Sequence, residues 1–470
     1  MSEWTTDSNE ALKIHLVRAG DDEAVLSPSE KALTKSFHPR FTYPIFGEEE
    51  KIYGYENLSI NLFLASGSLK QFVTVEFSER LTGKAIDDPE NTIYQYLSDD
   101  RLDSLERFAK EVERDATTFK PIGDKIDSYV RKRGDGKSAN KDPREIAIGQ
   151  LKRTDDDRTR QIDEGDEDAV VYEVYHANFK REGFVEFHRR MQIFILLYIE
   201  AGSYIEEDDD KWEFVTLFEK RKRKDGKEVY HLVGYSSLYP FYFYPESTRL
   251  RLSQFVILGP YQKKGHGAAL YKAIHNFVLR SPRFAELTVE DPSEDFEDLR
   301  DKVDMRTLLA HKEFIREAYG TTGPNGTLTV SRRGAVKRSS TGKENDTDQP
   351  TEVDKAERSG TRSSKVAMLG PPTKPKWAER WRKELKFAKR QYERLIEMLI
   401  LRALDETDEA AHRAFRLQVK ARLKAFNFET LMQLEQEEQF DKLEETFQSV
   451  KEGYERILGM LKKKEGAHNV

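Results

Sequence analysis

The chain has 470 residues, with 85 acidic against 78 basic side chains for a net charge of −7, and no cysteine. That length allows two or three domains and a sizeable core, while a charged fraction of 35% and a mean hydropathy of −0.75 exclude a membrane-embedded chain and predict solvated insertions. The lack of cysteine excludes disulfides, thiolate zinc sites and an acyl-cysteine intermediate.

In chain order, residues 1–30 carry few apolar side chains beyond Ala11–Val17 and read as a partly ordered arm; Met1-Ser2-Glu3-Trp4 predicts no secretory signal and hence cytoplasm or nucleus. Short strands alternate with turns over Ile52–Tyr55, Leu58–Ala65 and Phe72–Phe77, and Arg101–Val112 reads as a helix with Leu102, Leu105, Phe108 and Val112 on one face. The span 131–168 is dense in charge and reads as an insertion or flexible loop. Asn178–Ala201 predicts a helix, with Gly202 as its stop. Its apolar run Ile193–Ile199 ends at Glu200, far short of a membrane span. Strands Trp212–Lys220 and Val229–Leu238 flank Asp225-Gly226, a tight-turn pair. The apolar strand Gln254–Leu258 then breaks at Pro260, and a glycine-bearing turn leads into a helix over Ala268–Leu279. The strand Phe284–Val289 follows and ends at Glu290-Asp291-Pro292. Residues 331–375 are rich in Ser, Thr, Gly, Pro and charge and read as a disordered linker. Beyond Trp377, Leu385, Ala388, Tyr392, Leu395 and Leu399 form a helical stripe, and Leu423–Leu461 is a further helical stretch.

The turn Gln262-x-x-Gly265-x-Gly267 sits where the first N–H groups of a helix lack backbone partners, a natural anion site. It departs from the dinucleotide fingerprint, since Ala268, Ala269 and Leu270 follow Gly267. Strand, turn, helix and a second strand ending in carboxylates make one βαβ unit, with the carboxylates at the strand's C-terminal edge. Acidic runs at Glu48–Glu50 and Glu206–Asp210 favour a cationic substrate and argue against direct nucleic-acid binding by the core. Ten histidines include no H-E-x-x-H and no close ligand pair, so no metal is expected.

Q-x-x-G-x-G in this context resembles the pyrophosphate turn of GNAT N-acetyltransferases. Val289-Glu290-Asp291-Pro292 and Phe296–Asp301, with Phe37-His38-Pro39, Tyr43–Glu50, Tyr53-Gly54-Tyr55, Ile199–Ile205, Asp209–Trp212, Val233-Gly234-Tyr235 and Tyr239–Tyr244, resemble the type B histone acetyltransferase catalytic subunits. The resemblance covers about 30–130 and 170–325 and a helix near 380–404. It implies an α+β protein: a GNAT acetyltransferase core (169–330), an α+β N-terminal domain (1–130) contributing to histone-tail binding, the 131–168 insertion, the 331–375 linker and a helical C-terminal extension (376–470). It further implies acetyl-CoA as cosubstrate, the tail of free, newly made histone 4 as substrate, a WD-repeat histone-binding subunit as partner, and shuttling between cytoplasm and nucleus.

A lysine amine is almost entirely ammonium at neutral pH and needs a base before it can attack a thioester. A carboxylate at the edge of an apolar environment suits that task. Glu290, at the strand end, ranks first and matches the family's catalytic glutamate. Asp291 serves only if Pro292 bends the chain, since adjacent strand residues face apart. Glu200 matches a carboxylate near the family's active site, although a glutamate at a helix end ordinarily reaches solvent. Phe255, Val256 and Ile257 offer backbone groups to a pantetheine arm lying as an added strand. Gln262, Lys263, Lys264, Gly265, His266, Gly267 and Ala268 wrap the pyrophosphate, with Lys263 standing where the family often has glycine. By resemblance, Ser293 and Phe296 lie beside the coenzyme, and Glu48, Glu49, Glu50, Trp212, Tyr239, Pro240 and Phe241 hold the tail. The competing readings are a GNAT enzyme for another amine and a non-catalytic histone-binding scaffold.

Overall fold

The structure, a computed structural model, describes residues 4–24, 26, 30–31, 36–83, 85–132, 169–223, 225–320 and 367–465. The body of the 131–168 insertion and residues 331–366 of the expected linker therefore lie outside the described residues. By internal contacts the chain forms two compact units, Met1–Leu299 and Arg300–Val470.

Strands β1 (Thr5–Asp7) and β2 (Leu12–Val17) open the first unit. Here the expected arm is corrected. Leu12, Ile14 and Leu16 are buried while Lys13, His15 and Val17 alternate with them, the period-two pattern of a half-buried strand. The polar flanks hid this alternation. β3 (Lys51–Tyr53), β4 (Tyr55–Glu56), β5 (Ser59–Ala65), β6 (Gln71–Glu76) and β7 (Glu79–Arg80) follow. β2 pairs parallel with β5, from Leu12 opposite Ile60 to Val17 opposite Ala65, and β6 lies antiparallel on the far side of β5. Helix α1 (Leu105–Thr118) starts later than expected because the Ser104 hydroxyl accepts from the Arg107 N–H, a side-chain N-cap. Its buried face is Phe108, Val112 and Ala116, whereas Leu105 is exposed. That face closes a small core with Ala65, Phe72 and Val229.

The large sheet holds β8 (Asp124–Lys132), β9 (Ala169–Asn178), β10 (Glu213–Lys222), β11 (Glu228–Phe243), β12 (Ser247–Ile257) and β13 (Phe284–Val289), in the order β13-β12-β11-β10-β9-β8. All neighbours are antiparallel except β12 and β13, which are parallel. The Asp225-Gly226 turn joins β10 to β11 as expected, with Gly226 at φ +84°. Asn178 ends β9 rather than starting a helix. The helices there are α2 (Phe184–Met191) and α3 (Ile193–Tyr198). α3 caps at Ile199, before Gly202, and Ala201 takes the left-handed conformation (φ 54°). α4 (His266–Arg280) connects β12 to β13, and α5 (Glu294–Ala310) runs across the boundary between the units.

The second unit continues with α6 (Lys312–Tyr319), α7 (Pro375–Glu384), α8 (Lys389–Ala403), α9 (Glu409–Phe426) and α10 (Gln436–Glu465). Each expected long helix is divided: the first breaks at Leu385–Ala388, and the second at Asn427 and again at Met432–Glu435, on either side of a short helix Phe428–Leu431. Leu369, assigned by sequence to the linker, is buried, and its N–H donates to the Ala318 carbonyl at 2.9 Å. One carboxylate ties the unit across the intervening sequence: Glu317 accepts from the indoles of Trp377 (2.9 Å) and Trp381 (3.0 Å) and pairs with Arg380. Burial works to raise its pKa, but those donors and the Arg380 charge hold it below the usual carboxylate value. No described helix is long and apolar enough to cross a membrane.

Candidate active site

β12 is paired on both sides only as far as Leu252. Its parallel register with β13 ends at Leu252 opposite Val289, closed by the Glu290 N–H donating to the Leu252 carbonyl at 2.9 Å. The register with β11 shifts at the same place, because Ser237 faces Gln254 and Leu238 faces Leu252. Ser253 is thus the extra residue of a β-bulge, which bends and twists a strand. Beyond it, residues 254–257 keep their ladder to β11 while their other edge has no strand partner among the described residues. Phe255, Val256 and Ile257 lie along that open edge, as a strand-like ligand requires.

The strand feeds the glycine turn. Gly265, at φ 80° and ψ 6°, is the N-cap of α4, where a side-chain oxygen is absent, and the first helical bond is Ala269 N–H to the Gly265 carbonyl. The N–H groups of His266, Gly267 and Ala268 precede it, so no helical carbonyl takes them. The Gln262 amide donates to the Ile257 carbonyl (2.8 Å) and the Lys264 ammonium to the Pro260 carbonyl (2.6 Å), which folds the loop onto its own backbone. Lys263 sits at φ 57°. This left-handed conformation costs a non-glycine residue about 1–2 kcal/mol and explains a preference for glycine at that position. A Cβ on Gly267 would lie 3.0 Å from Leu299 Cδ1 and 3.6 Å from Phe255 and Ile257, so glycine lets α4 close on α5 and β12. Phe296 stacks edge-on against Phe255 (4.9 Å) and Tyr271 (5.9 Å), and the Ser293 hydroxyl accepts from the Phe296 N–H. An open strand edge ending in uncapped N–H groups over a small-residue floor fits an extended ligand with an anionic end, which is the shape and charge of coenzyme A.

A buried ionic cluster braces the turn. Tyr261 donates to Glu219 Oε2 (2.8 Å), Arg18 donates to both Glu219 oxygens and to the Tyr261 oxygen, and Arg221 pairs with Glu219 and Glu30. Burial alone would raise the Glu219 pKa, yet Arg18, Arg221 and the hydrogen bonds hold it well below the usual value. Sequence reading missed this set because its members lie far apart along the chain.

Glu290 stands where β12 and β13 part. Its side chain is 44% exposed, accepts from the Ser253 hydroxyl at 2.6 Å and lies 3.7 Å from Arg251 Nη1. Ser253 and Arg251 were not anticipated. The available signal was Arg249, Arg251 and Ser253 alternating with buried Leu250 and Leu252, a polar face opposite the core. The Arg251 guanidinium also lies 4.3 Å from the Phe241 ring centre. From there the aromatic chain runs through Tyr239 (4.8 Å) to Trp212 (4.9 Å), with the Tyr239 hydroxyl donating to Asp209 at 2.7 Å. Pro240 lies between Tyr239 and Phe241 on β11, partly exposed.

The other carboxylates are placed differently. Asp291 is exposed at φ 28° in the bend after β13. Glu200 is exposed just past α3; its loop is held by the Gln254 amide donating to the Ser203 carbonyl (2.9 Å) and the Ala201 N–H donating to the Tyr43 hydroxyl (2.7 Å). Glu48 and Glu49 are exposed, whereas Glu50 Oε1 accepts from the N–H groups of Thr42 (2.6 Å) and Tyr43 (3.0 Å). Among the described residues, no group of histidine and carboxylate side chains is arranged to hold a metal ion.

A parallel strand pair that parts at a bulge, an anion turn on the open edge and a carboxylate at the fork define a GNAT-type acetyltransferase core. The family model described as the N-terminus of histone acetyl transferase HAT1 matches residues 4–200, and that of the fungal HAT1 C-terminal region matches 361–405. Proteins named histone acetyltransferase type B catalytic subunit are similar along nearly the whole chain. The one from Cryptococcus neoformans is 41% identical over 98% of both chains. That from Mycosarcoma maydis is 39% identical over 97% of this chain and 88% of its own, and that from Yarrowia lipolytica is 30% identical over 97% and 92%. Among solved structures, an aminoglycoside acetyltransferase from an uncultured soil metagenomic sample, in complex with sisomicin, aligns with 27% of this chain and 83% of its own at 13% identity and a TM-score of 0.21. The chain belongs to the histone acetyltransferase type B catalytic subunit family, and it is an enzyme of that acetyltransferase class.

Proposed function

We propose that the protein transfers acetyl from acetyl-CoA to the lysine side-chain amine of free, newly made histone H4 tails, by direct attack within a ternary complex, in support of chromatin assembly. The single observation carrying this reading is the fork at Leu252 and Val289, where Glu290 stands and from which the open β12 edge runs on toward the N–H turn. Acetyl-CoA supplies an activated thioester carbonyl. Residues 255–257 align the pantetheine arm, Gln262–Ala268 receive the pyrophosphate, and Ser293 and Phe296 flank the coenzyme. Glu290 takes the proton of the lysine ammonium, directly or through water, while Ser253 and Arg251 fix its carboxylate. Glu200 and Asp291 are secondary acceptors.

Exposed Glu48 and Glu49 and the aromatic set Trp212, Tyr239, Pro240 and Phe241 suit a glycine-rich, lysine-bearing tail, through opposite charge and cation–π contact. Glu50 contributes its remaining carboxylate oxygen beside its cap. The enzyme works with a WD-repeat histone-binding subunit and is present in cytoplasm and nucleus; both follow from the resemblance to the family. Acetyl transfer is measured on free H4, on nucleosomes and on small polyamines. The expected result is strong activity on free H4 and little on the other two. Equal activity on small amines sinks the histone reading.

A further inference from the structure

We propose that Arg131 is the positioning residue of the phosphate-binding turn: it pins the Lys264 carbonyl beneath the turn, aims the Gly265 N–H outward at the cosubstrate's phosphates, and has its own charge compensated by them. This rests on the acetyl-CoA reading above. Arg131, near the end of β8, is only 8% exposed. Its Nη1 donates to the Lys264 carbonyl and, at 3.0 Å, to His266 Nε2, while its guanidinium stacks 4.9 and 5.4 Å from the rings of Tyr129 and Tyr172. Since His266 Nε2 accepts from Arg131, its Nδ1–H donates to the Tyr129 oxygen at 2.8 Å. Burial first, and then the Arg131 charge, hold His266 well below its usual pKa and neutral. His266 is therefore a spacer between an arginine and a tyrosine. Across a planar trans peptide the C=O and N–H point opposite ways. A Lys264 carbonyl held inward thus turns the Gly265 N–H toward the ligand side, in line with the N–H groups of His266, Gly267 and Ala268.

The local charge balance points the same way. Arg18 and Arg221 grip Glu219, and Arg221 also takes Glu30. The Lys264 ammonium is taken up by the Pro260 carbonyl. Arg131 pairs with no carboxylate among the described residues, and its Nε and Nη2 are buried without a hydrogen-bond partner. A buried, incompletely bonded cation is costly by itself; an anion arriving across one peptide plane offsets that cost through a low-dielectric path.

The test compares coenzyme A with S-acetyl-pantetheine, which lacks the phosphates. Calorimetry on the whole wild-type chain comes first; absence of coenzyme A binding there defeats the acetyl-CoA reading itself, before any variant is made. Given wild-type binding, R131M is expected to weaken coenzyme A and raise the acetyl-CoA KM by on the order of tenfold or more. Turnover at saturating acetyl-CoA and the KM for S-acetyl-pantetheine should stay near wild type. R131K, which keeps the charge but loses the rigid fork, should recover part of the loss. Unchanged coenzyme A binding, or an equal loss for both thioesters, overturns the proposal. Should R131M fail to fold, R131K carries the comparison, and it must lose coenzyme A affinity several-fold while sparing S-acetyl-pantetheine.

Discussion

Glu290→Gln is expected to lower the rate of acetyl transfer to free H4 by about 10²- to 10⁴-fold, the usual worth of a positioned general base. The amide keeps the shape and can still accept from Ser253, but it cannot take the proton of a lysine ammonium. Coenzyme A binding should be retained, because Glu290 lies at the fork and not on the glycine turn. Stability should change little, since the side chain is 44% exposed and surface substitutions usually stay within about ±0.5 kcal/mol. A rate near wild type would move the proton to Glu200 or Asp291. Matching single substitutions there separate the two, as Glu200 belongs to the loop after α3 and Asp291 to the bend after β13.

Glu219→Gln is expected to act in the opposite way, on stability more than on chemistry. It leaves Arg18 and Arg221, whose side chains are 4% and 6% exposed, without their shared carboxylate. Breaking such a buried pair by removing one partner costs about 3–5 kcal/mol, read as a fall in the urea midpoint of the first unit at neutral pH. The sign with pH follows from linkage. The folded-state pKa of Glu219 lies well below its ordinary value of 4.5. Its contribution is therefore complete above that value and is lost as pH falls through the folded-state pKa. Wild type should lose stability along that acid limb, while the Gln variant, with no carboxyl at the position, should lack this component of the loss. A change under about 1 kcal/mol at neutral pH would mean that the cluster contributes little net stability. Coenzyme A binding should weaken together with stability, because Tyr261 carries the glycine turn on the same carboxylate.

What the sequence revealed and what it hid divide along a physical line. The strand Phe284–Val289 has the predicted bounds, and the Asp225-Gly226 hairpin and the helix after Gly265 follow from local signals: apolar runs, turn residues and uncapped N–H groups. β2 was hidden because six residues between polar flanks cannot be told from a frayed arm until β5 supplies the parallel partner that buries Leu12, Ile14 and Leu16. The helix expected from Asn178 began instead at Phe184, because β10 captures 171–178 as a strand edge, a tertiary preference that periodicity does not encode. At the site, Glu290 and the turn were legible from their position after strands. Ser253 was not, since a bulge is visible only when two registers are compared. The Glu50 cap on Thr42 and Tyr43 and the Arg131–His266–Tyr129 stack are likewise products of folding that residue type alone does not announce.

Backbone amide hydrogen exchange with and without coenzyme A tests most directly whether the parted strands hold the cosubstrate. Protection should appear along residues 254–257 and in the turn Gln262–Ala268, with little change along residues 213–220 of β10, which have a strand partner on both sides. Saturating coenzyme A that leaves both segments unprotected and protects another surface would contradict the account.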